Sequence, residues 1–424
     1  MNTNVPHGYS VVPTGPDRLR DMIDIDRWAF IAPGAVDDDL AGESPRDWDR
    51  QYAVAAPDGR LAAFHFSLRL ERFAVPGAFV QTAGLSGVSV HPEHRRRGLL
   101  TAMIAAHLER CAEHGEPLSV LNASEPAIYG RYGYGMASRR VRVAVPRGAA
   151  LREVPGTGDV VVHIDHAVQE RYLDAVMHVQ ENAAHQVGLV RPGWISWETP
   201  NIAAEHFRDP ATARDGAETL RLMIAERAGE PVGFAFFRRK ADWAQGGSPR
   251  GEVFAGPMAY TDSAAAHAIW SRLVDLDLMV TTYATHLSLD DPLFGQLVDQ
   301  RAAAPTISDG LWLRIIDLPR ALAARQYAAP VDVVLDVTDS SIPANAGRWH
   351  LRAEAFADGA DIARTTAAPD IQLDIQELGA IYLGGTNLAA LVASGLAEAR
   401  TAGILARTAT AFNWPVAPAF NWDF

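Results

Sequence analysis

The segment V-S-V-H-P-E-H-R-R-R-G-L-L-T, residues 88–101, decides the fold of the first part of the chain. Val88 and Val90 alternate with a polar residue, as strand residues do, and Pro92 ends the strand because it has no N–H group to donate. From Gly98 onward, apolar residues recur at helical spacing and form one face, made of Leu100, Met103, Ile104, Leu108 and Cys111. The segment therefore predicts a strand that runs into a helix through a basic turn.

The basic turn has the properties of an anion-binding site. The backbone N–H groups of residues 96–101 would lie at the start of the helix, where unpaired donors and the helix dipole favour a negative charge. Arg95, Arg96 and Arg97 oppose that dipole unless an anion compensates them, and Gly98 lets a phosphate approach the backbone closely. A solvated basic turn is the alternative. The strand, the proline and the apolar helix taken together favour phosphate binding.

This segment and two others resemble the corresponding segments of one known protein family. The R-R-R-G-L-L form, the upstream T-A-G-L-S-G-V-S-V (residues 82–90) and the downstream S-E-P-A-I-Y-G-R-Y-G-Y-G (residues 124–135) resemble the Eis (enhanced intracellular survival) family of GCN5-related N-acetyltransferases, or GNATs. D-G-L-W-L-R-I at residues 309–315 and an aromatic C-terminus extend the likeness over nearly the whole chain. One departure is that Leu100 or Thr101 stands where the wider superfamily has glycine or alanine.

The resemblance implies acetyl-CoA as cosubstrate, with no metal and no covalent enzyme intermediate. The strand would hold pantetheine and the thioester through its backbone, and the basic turn would hold the pyrophosphate. The implied cofactor-binding residues are Val88, Ser89, Val90, Arg95, Arg96, Arg97, Gly98, Leu99, Leu100, Thr101, Ser124 and Glu125.

Acetyl transfer to an amine also needs an acid for the leaving thiolate and a base for the attacking ammonium. Ser124 reads as a helix N-cap, and Tyr129 follows one turn after the helix start. A phenol with a pKa of about 10 suits the acid, and spacing alone leaves Tyr129, Tyr132 and Tyr134 open. The resemblance selects Tyr129 as proton donor. It also implies that the C-terminal carboxylate of Phe424 is the proton acceptor.

The acceptor is expected to be a cationic primary amine, such as an aminoglycoside or a polyamine. A protein lysine is an alternative acceptor. A non-enzymatic lipid-binding or scaffold protein is a further alternative, because residues 378–397 form a long uncharged stretch. The acidic residues that precede and follow Phe30 are interpreted as a solvated helix face and loop; they are Asp24, Asp26 and Asp37, with Asp38 and Asp39.

Composition narrows the class of protein. The net charge of −13 over 424 residues disfavours nucleic acid as a partner and is compatible with a cationic substrate. Cys111 is the single cysteine, which excludes an intrachain disulfide, and its apolar helix face predicts a buried thiol. No secretory signal is recognised at the start, and glycines interrupt the 378–397 stretch, so we expect a cytoplasmic protein without a membrane span. Family analogy implies a homo-oligomer, a hexamer.

The expected architecture is α+β, with tandem GNAT-like domains at residues 1–150 and 151–303 and a sterol-carrier-protein-like α+β domain at residues 304–424. Both halves of the tandem show a helix, a hairpin, a strand and a second helix in the same order. In the second half, the strand–helix junction at residues 259–264 has no arginine or glycine. The second domain is therefore expected to keep the fold without binding CoA.

Overall fold

A computed structural model describes residues 5–31, 36–40 and 47–424. The first third of the chain forms β1 (Ser10–Val12), α1 (Leu19–Phe30), α2 (Val36–Leu40), β2 (Gln51–Ala55), β3 (Leu61–Val75), β4 (Ala78–Val90), α3 (Leu99–Glu113), β5 (Leu118–Asn122), β6 (Gly135–Met136) and β7 (Arg139–Pro146). The middle third forms β8 (Val160–His166), α4 (Gln169–Ala183), β9 (His185–Gln186), β10 (Leu189–Val190), α5 (Pro200–Glu205), β11 (Arg221–Arg227), β12 (Glu230–Lys240), β13 (Gly251–Tyr260), α6 (Ser263–Leu273), β14 (Met279–Leu287), α7 (Pro292–Gln296), β15 (Thr306–Asp309) and β16 (Leu311–Ile315). The last third forms α8 (Leu318–Ala324), β17 (Val331–Thr338), β18 (Gly347–Ala353), β19 (Asp361–Arg364), β20 (Ile371–Asp374), α9 (Ile375–Tyr382), α10 (Leu388–Ala393), β21 (Ala397–Ala399) and α11 (Ala402–Phe412).

The first sheet has the strand order β1-β2-β3-β4-β5-β16-β6 and is covered on both faces. Met22 and Ile25 of α1 pack on one face with Phe64, and Leu99 and Met103 of α3 pack on the other. The expected helix and hairpin are present. The inward face of α1 contains Met22 and Ile25, whereas Phe30 is 44% exposed.

The second sheet repeats the plan of the first. Its order is β15-β7-β14-β13-β12-β11-β8, with α4 packed on one face and α6 on the other. Helix α4 corresponds to α1, and α6 corresponds to α3. The repeat that the sequence predicts is therefore present as two similar layered units.

The two units exchange strands. β7 follows the first unit in sequence but pairs with β14 of the second, and β16 follows the second unit but pairs with β5 of the first. Leu311, Leu313 and Ile315 of β16 are completely buried there. The sheets therefore do not end at the expected boundaries of residues 150 and 303, because each antiparallel partner strand comes from outside its own unit.

The last part of the chain forms a five-stranded sheet, in the order β19-β18-β17-β20-β21. Helix α9 connects it to the first sheet by lying across β6 and β16. A Cβ atom on Gly379 would lie 2.5 Å from the carbonyl oxygen of Leu313, so only glycine allows this close packing. All residues of α9 except the half-buried Gln376 are buried. No helix in the described part of the chain is long and apolar enough to cross a membrane.

Candidate active site

The candidate site lies where strands β4 and β5 separate, and we call this point the fork. The two strands pair in parallel only from Thr82 to Gly84, while β4 continues to Val90 and β5 continues against β16. Within the described residues, no strand pairs with this edge of β4 beyond Gly84. A bulge at Gly87, where φ is +58°, bends β4 further, and a Cβ atom there would collide with the ring of Phe66. Backbone groups of β4 are thus left open to a ligand.

A cleft of about 630 Å³ extends from the outer part of β4 to the start of α3. Ten of the twelve implied cofactor residues line it: Val88, Val90, Arg95, Arg96, Gly98, Leu99, Leu100, Thr101, Ser124 and Glu125. The two others do not. The Ser89 side chain is buried and donates a hydrogen bond to Oδ1 of Asp26 at 3.0 Å, and Arg97 donates to the Tyr9 hydroxyl at 3.1 Å.

The N-terminus of α3 has features that suit the binding of an anion. Gly98 has φ +83° and makes no side-chain cap, and the first turn contains no acidic residue. The donors of Leu99, Leu100 and Thr101 therefore face the cleft without a carboxylate to satisfy them. Arg95 and Arg96, both exposed, border the same space. These are the features that an anion site at a helix N-terminus requires, and the anion site itself stays a prediction.

The corresponding helix of the second unit is closed to an anion. Asp262 caps α6 by accepting hydrogen bonds from the backbone N–H groups of Ala264 and Ala265, both at 3.0 Å, and it also pairs with Arg227. A carboxylate of the chain thus occupies the place where a phosphate would bind. This gives a physical reason for the expectation that the second unit lacks a CoA site.

One group of potential metal ligands occurs in the described part of the chain: the side chains of His91, Glu93 and His94 bring their ligand atoms within 4.8 Å of one another. Arg95 and Arg96 follow directly in the turn, and their charge opposes binding of a cation. The cluster borders the anion site rather than the fork.

Three tyrosines follow the fork. Tyr129 and Tyr132 belong to two short 3-10 turns rather than to the expected helix, and Tyr134 follows these turns. The N-cap position of the first turn is Glu125 and not the expected Ser124, and it makes no side-chain capping hydrogen bond. Tyr134 is fully buried and bonds Ser119, and the Tyr132 hydroxyl lies 3.1 Å from Oγ1 of Thr101. Tyr129 lines the cleft, and its hydroxyl has no partner among the residues described. Burial, with the nearby Glu125 and Tyr132, raises the pKa of Tyr129 to about 12. Its phenol therefore keeps a proton available at neutral pH.

The aromatic C-terminus is packed into the molecule, as its composition predicts. Phe420 is buried, Ala419 donates its N–H to Pro192 at 2.8 Å, and the Asn421 amide exchanges hydrogen bonds of 2.9 and 3.0 Å with the backbone of Ile195. The tail ends at the fork of the first unit. A Cβ atom on Gly84 would lie 3.0 Å from Cε2 of the Phe424 ring. The last residue of the chain therefore contacts the last position at which β4 and β5 pair.

The same tail also fills the fork of the second unit. β13 and β14 pair from Gly251 to Ala255 and then separate. Beyond that point, Ala419 and Asn421 line the same small cavity as Tyr260 of β13 and His286 of β14, and its volume is only about 30 Å³. An acyl-pantetheine arm has no room in this fork.

Carboxylates lie close to the first fork. Asp26 was interpreted as part of a solvated face, but its hydrogen bond to Ser89 turns it toward β4. Asp24 is exposed, Asp37 forms an exposed ion pair with Arg20, and the side chains of Asp38 and Asp39 lie outside the described residues. Asp423 accepts a hydrogen bond from Asn122 at 2.7 Å, where β5 ends.

Several residues at the site carry no recognisable sequence signal. Phe30, His94, Ile128 and Arg131 line the cleft beside the implied residues. Arg140 and His286 contact Asp423 from β7 and β14. The strand exchange brings these two to the fork, so neither spacing nor composition could have indicated them.

Comparisons with known proteins agree with this geometry. The sequence matches the family described as acetyltransferase (GNAT) domain over residues 11–137 and again, in a second such family, over residues 193–315. A sterol carrier protein domain matches residues 318–421. These matches fall in the first layered unit, in the second unit from residue 193 onward, and in the last domain.

Relatives share most of their length with the chain. An uncharacterized N-acetyltransferase from Streptomyces coelicolor is 39% identical over 88% of this chain and 87% of its own. N-acetyltransferase Eis from Mycobacterium bovis is 35% identical over 85% of each chain. The crystal structure of Eis1 from Mycobacterium abscessus superimposes with a TM-score of 0.80 at 26% identity, covering 98% of this chain and all of the other. The chain therefore belongs to the Eis family of GNAT N-acetyltransferases, with two GNAT units followed by a sterol-carrier-like domain, and is an acyltransferase rather than a non-enzymatic scaffold.

Proposed function

We propose that the enzyme transfers the acetyl group of acetyl-CoA directly to a primary amine of a small polycation, such as an aminoglycoside or a polyamine. Tyr129 acts as general acid and the C-terminal carboxylate of Phe424 as general base. One observation carries this proposal: Phe424 packs on Gly84 at the fork of β4, the strand whose outer part lines the cleft with Tyr129.

In the proposed reaction, the amine nitrogen attacks the thioester carbonyl carbon, a C–N bond forms and the C–S bond breaks. The carboxylate of Phe424 accepts one proton from the ammonium before the attack. The departing thiolate takes the proton of Tyr129, and the second proton that the nitrogen loses on becoming an amide restores the Tyr129 phenol. Backbone N–H groups of β4 beyond Gly84 would stabilise the negative charge on the carbonyl oxygen. A free α-carboxylate has a pKa of about 3.5, so it needs a desolvated place to act as a base. The packed rings of Trp422 and Phe424, 5.8 Å apart, support such a place.

The charge distribution supports a cationic acceptor. Asp26 and Asp423 both lie near the fork, and the chain carries a net charge of −13. Negative groups around a cleft attract a polyamine and favour its approach. The neutral phenol of Tyr129 does not oppose this field.

Release of free CoA with a panel of acceptors tests the substrate class. The panel contains an aminoglycoside, spermidine and a lysine-containing peptide, each at saturating acetyl-CoA. We expect turnover with the first or the second. Turnover of the peptide alone would replace the proposal with protein-lysine acetylation, and no turnover with any amine would refute the substrate class.

Two variants test the acid and the base. Tyr129→Phe and an enzyme extended by one residue at the C-terminus should each lower kcat by about 10²-fold or more, the usual contribution of a positioned acid or base. KM for acetyl-CoA should change little. Tyr172→Phe is the matched control, because Tyr172 donates its hydroxyl to Asp165 at 2.8 Å in the second unit. An unchanged kcat in either test variant would remove that group from the mechanism.

A further inference from the structure

We infer that the second GNAT unit supplies positioning residues, His286 and Arg140, which hold the C-terminal carboxylate in place through Asp423. The inference rests on the proposed role of Phe424 as base. It gives a task in catalysis to a unit whose own helix N-terminus and fork are occupied by the chain.

Asp423 is held by groups from three strands. Its Oδ1 accepts hydrogen bonds from Nδ2 of Asn122 at 2.7 Å and from Nη1 of Arg140 at 3.3 Å. Its Oδ2 lies 2.7 Å from Nε2 of His286. Asn122 ends β5 of the first unit, whereas Arg140 and His286 lie on β7 and β14 of the second sheet. Both carboxylate oxygens are thus engaged by the chain.

The two holding side chains are themselves fixed. Oγ1 of Thr285 lies 2.8 Å from Nδ1 of His286, so the threonine can donate there while Nε2–H donates to Asp423. Arg140 lies 3.4 Å from Oγ of Ser308, and the Phe420 ring packs against both, with its centroid 5.4 Å from each. Nη1 of Arg140 also lies 3.3 Å from Nε2 of His286, so the two holding side chains contact each other as well as Asp423.

Asp423 is the only residue between Trp422 and the terminal Phe424. Upstream, the Asn421 amide anchors the tail to Ile195. Chain ends fray unless they are tied, and an acid–base group must be held within about 0.5 Å to be effective. A fixed Asp423 side chain restricts the backbone to which the terminal carboxylate is attached.

Stability alone is a weak reason for this arrangement. The Asp423 side chain is 49% exposed, and ion pairs with that much solvent contact contribute little to stability. Partial burial works against the charged form, but hydrogen bonds and charge from His286 and Arg140 outweigh it and lower the pKa of Asp423. The carboxylate therefore stays ionised and bonded at neutral pH, as a positioning contact requires.

The test compares His286→Ala, His286→Gln and the matched control His350→Ala. His350 makes a similar contact in the last domain, with its Nε2 2.6 Å from Oδ1 of Asp332. We expect His286→Ala to lower kcat about tenfold with KM for acetyl-CoA within about twofold, because a modest displacement of a catalytic group costs rate rather than cofactor binding. His286→Gln keeps a donor and should recover most of the rate. His350→Ala should leave kcat unchanged.

Combining His286→Ala with the one-residue C-terminal extension separates the two proposals. Residues that act through one group are non-additive, so His286→Ala should lower kcat no further in the extended enzyme. If the extension alone leaves kcat unchanged, the base assignment fails. If the extension lowers kcat but His286→Ala has no effect, or the two effects multiply, the base stands and the positioning role is refuted.

Discussion

Gly84 shows how a missing side chain in a strand can make room for an aromatic ring from a distant part of the chain. It is the last residue of β4 that pairs with β5, and the Phe424 ring occupies the space above it. Its φ is not in the left-handed region, so the strand itself would accept alanine. The restriction at this position comes from the Phe424 ring and the Leu70 side chain, and not from the backbone conformation of β4.

Gly84→Ala should therefore impair activity more than stability. The added Cβ would lie 3.0 Å from the Phe424 ring and 3.3 Å from Cδ1 of Leu70, so the ring must move by a few tenths of an ångström. We expect kcat to fall about tenfold. The free energy of unfolding should stay within about 1 kcal/mol of that of the parent, because alanine loses less conformational entropy than glycine on folding. Steady-state kinetics and urea unfolding would measure both. Gly158→Ala is the control, because a Cβ there meets nothing within 4 Å. A normal kcat for Gly84→Ala would mean that the ring position is not tied to catalysis.

Individual residues could be predicted from sequence only where a motif fixes them. Tyr129 followed from its motif and lies in the cleft, whereas His286 has no motif around it. Ser89 and Arg97 were expected at the cofactor, but strand alternation turns the first toward Asp26, and Arg97 reaches Tyr9. Neighbours in sequence point in directions that only the three-dimensional backbone decides.

Among the elements, helices α3 and α6 occupy equivalent positions in the two GNAT units, but their N-termini differ in the charged groups around them. α3 begins at an uncapped Gly98 beside Arg95 and Arg96, and α6 begins at Asp262, which caps its donors and pairs with Arg227. The chain itself thus compensates the dipole of α6, whereas the N-terminus of α3 is left open to an anion. The strand–turn–helix order was predictable from the hydrophobic pattern. The φ of +59° at Arg96, which decides the direction of the turn, was not.

The positions of Arg95, Arg96 and Arg97 at the start of α3 predict unequal contributions to acetyl-CoA binding. Arg95→Ala and Arg96→Ala should each raise KM for acetyl-CoA about tenfold, since a hydrogen bond to a charged group contributes about 1.5 kcal/mol or more, and kcat should change little. Arg97→Ala should have a smaller effect because Arg97 bonds Tyr9 outside the cleft. Arg227→Ala, at the equivalent helix, is the control. Titration of KM against salt would add a second readout, and equal effects for all three arginines would contradict the geometry.

At the scale of the whole molecule, strand exchange makes the units depend on one another. β7 completes the second sheet and β16 completes the first, while α9 of the last domain covers both β6 and β16. Domain order could be predicted from repeated patterns, but the true sheet edges could not, because antiparallel partners are not encoded by neighbouring residues. Such interlocking favours unfolding of the units together, so a charge buried in one core affects the whole chain.

Acid sensitivity follows from a histidine in the first core. His107 is buried between α3 and the sheet, with Nε2 2.8 Å from Oγ of Ser119. Burial, assisted by the charges of Arg50 and Arg110, lowers the pKa of His107 to about 3, against about 6.5 in an unfolded chain. A depressed pKa gives stability that is present above pH 6.5 and is lost as the pH falls, because the unfolded state binds the proton first.

Between pH 7 and pH 5, protonation of His107 in the unfolded state should lower the free energy of unfolding by about 2 kcal/mol. Asp291 acts in the opposite sense, since burial raises its pKa to about 6, so the difference between two proteins is more informative than one curve. His107→Gln keeps a partner for Ser119 and has no titrating group. We expect it to be somewhat less stable than the parent at pH 7 but to lose about 2 kcal/mol less on acidification, as measured by urea unfolding at both pH values. Identical losses in the two proteins would show that His107 is not held neutral in the fold.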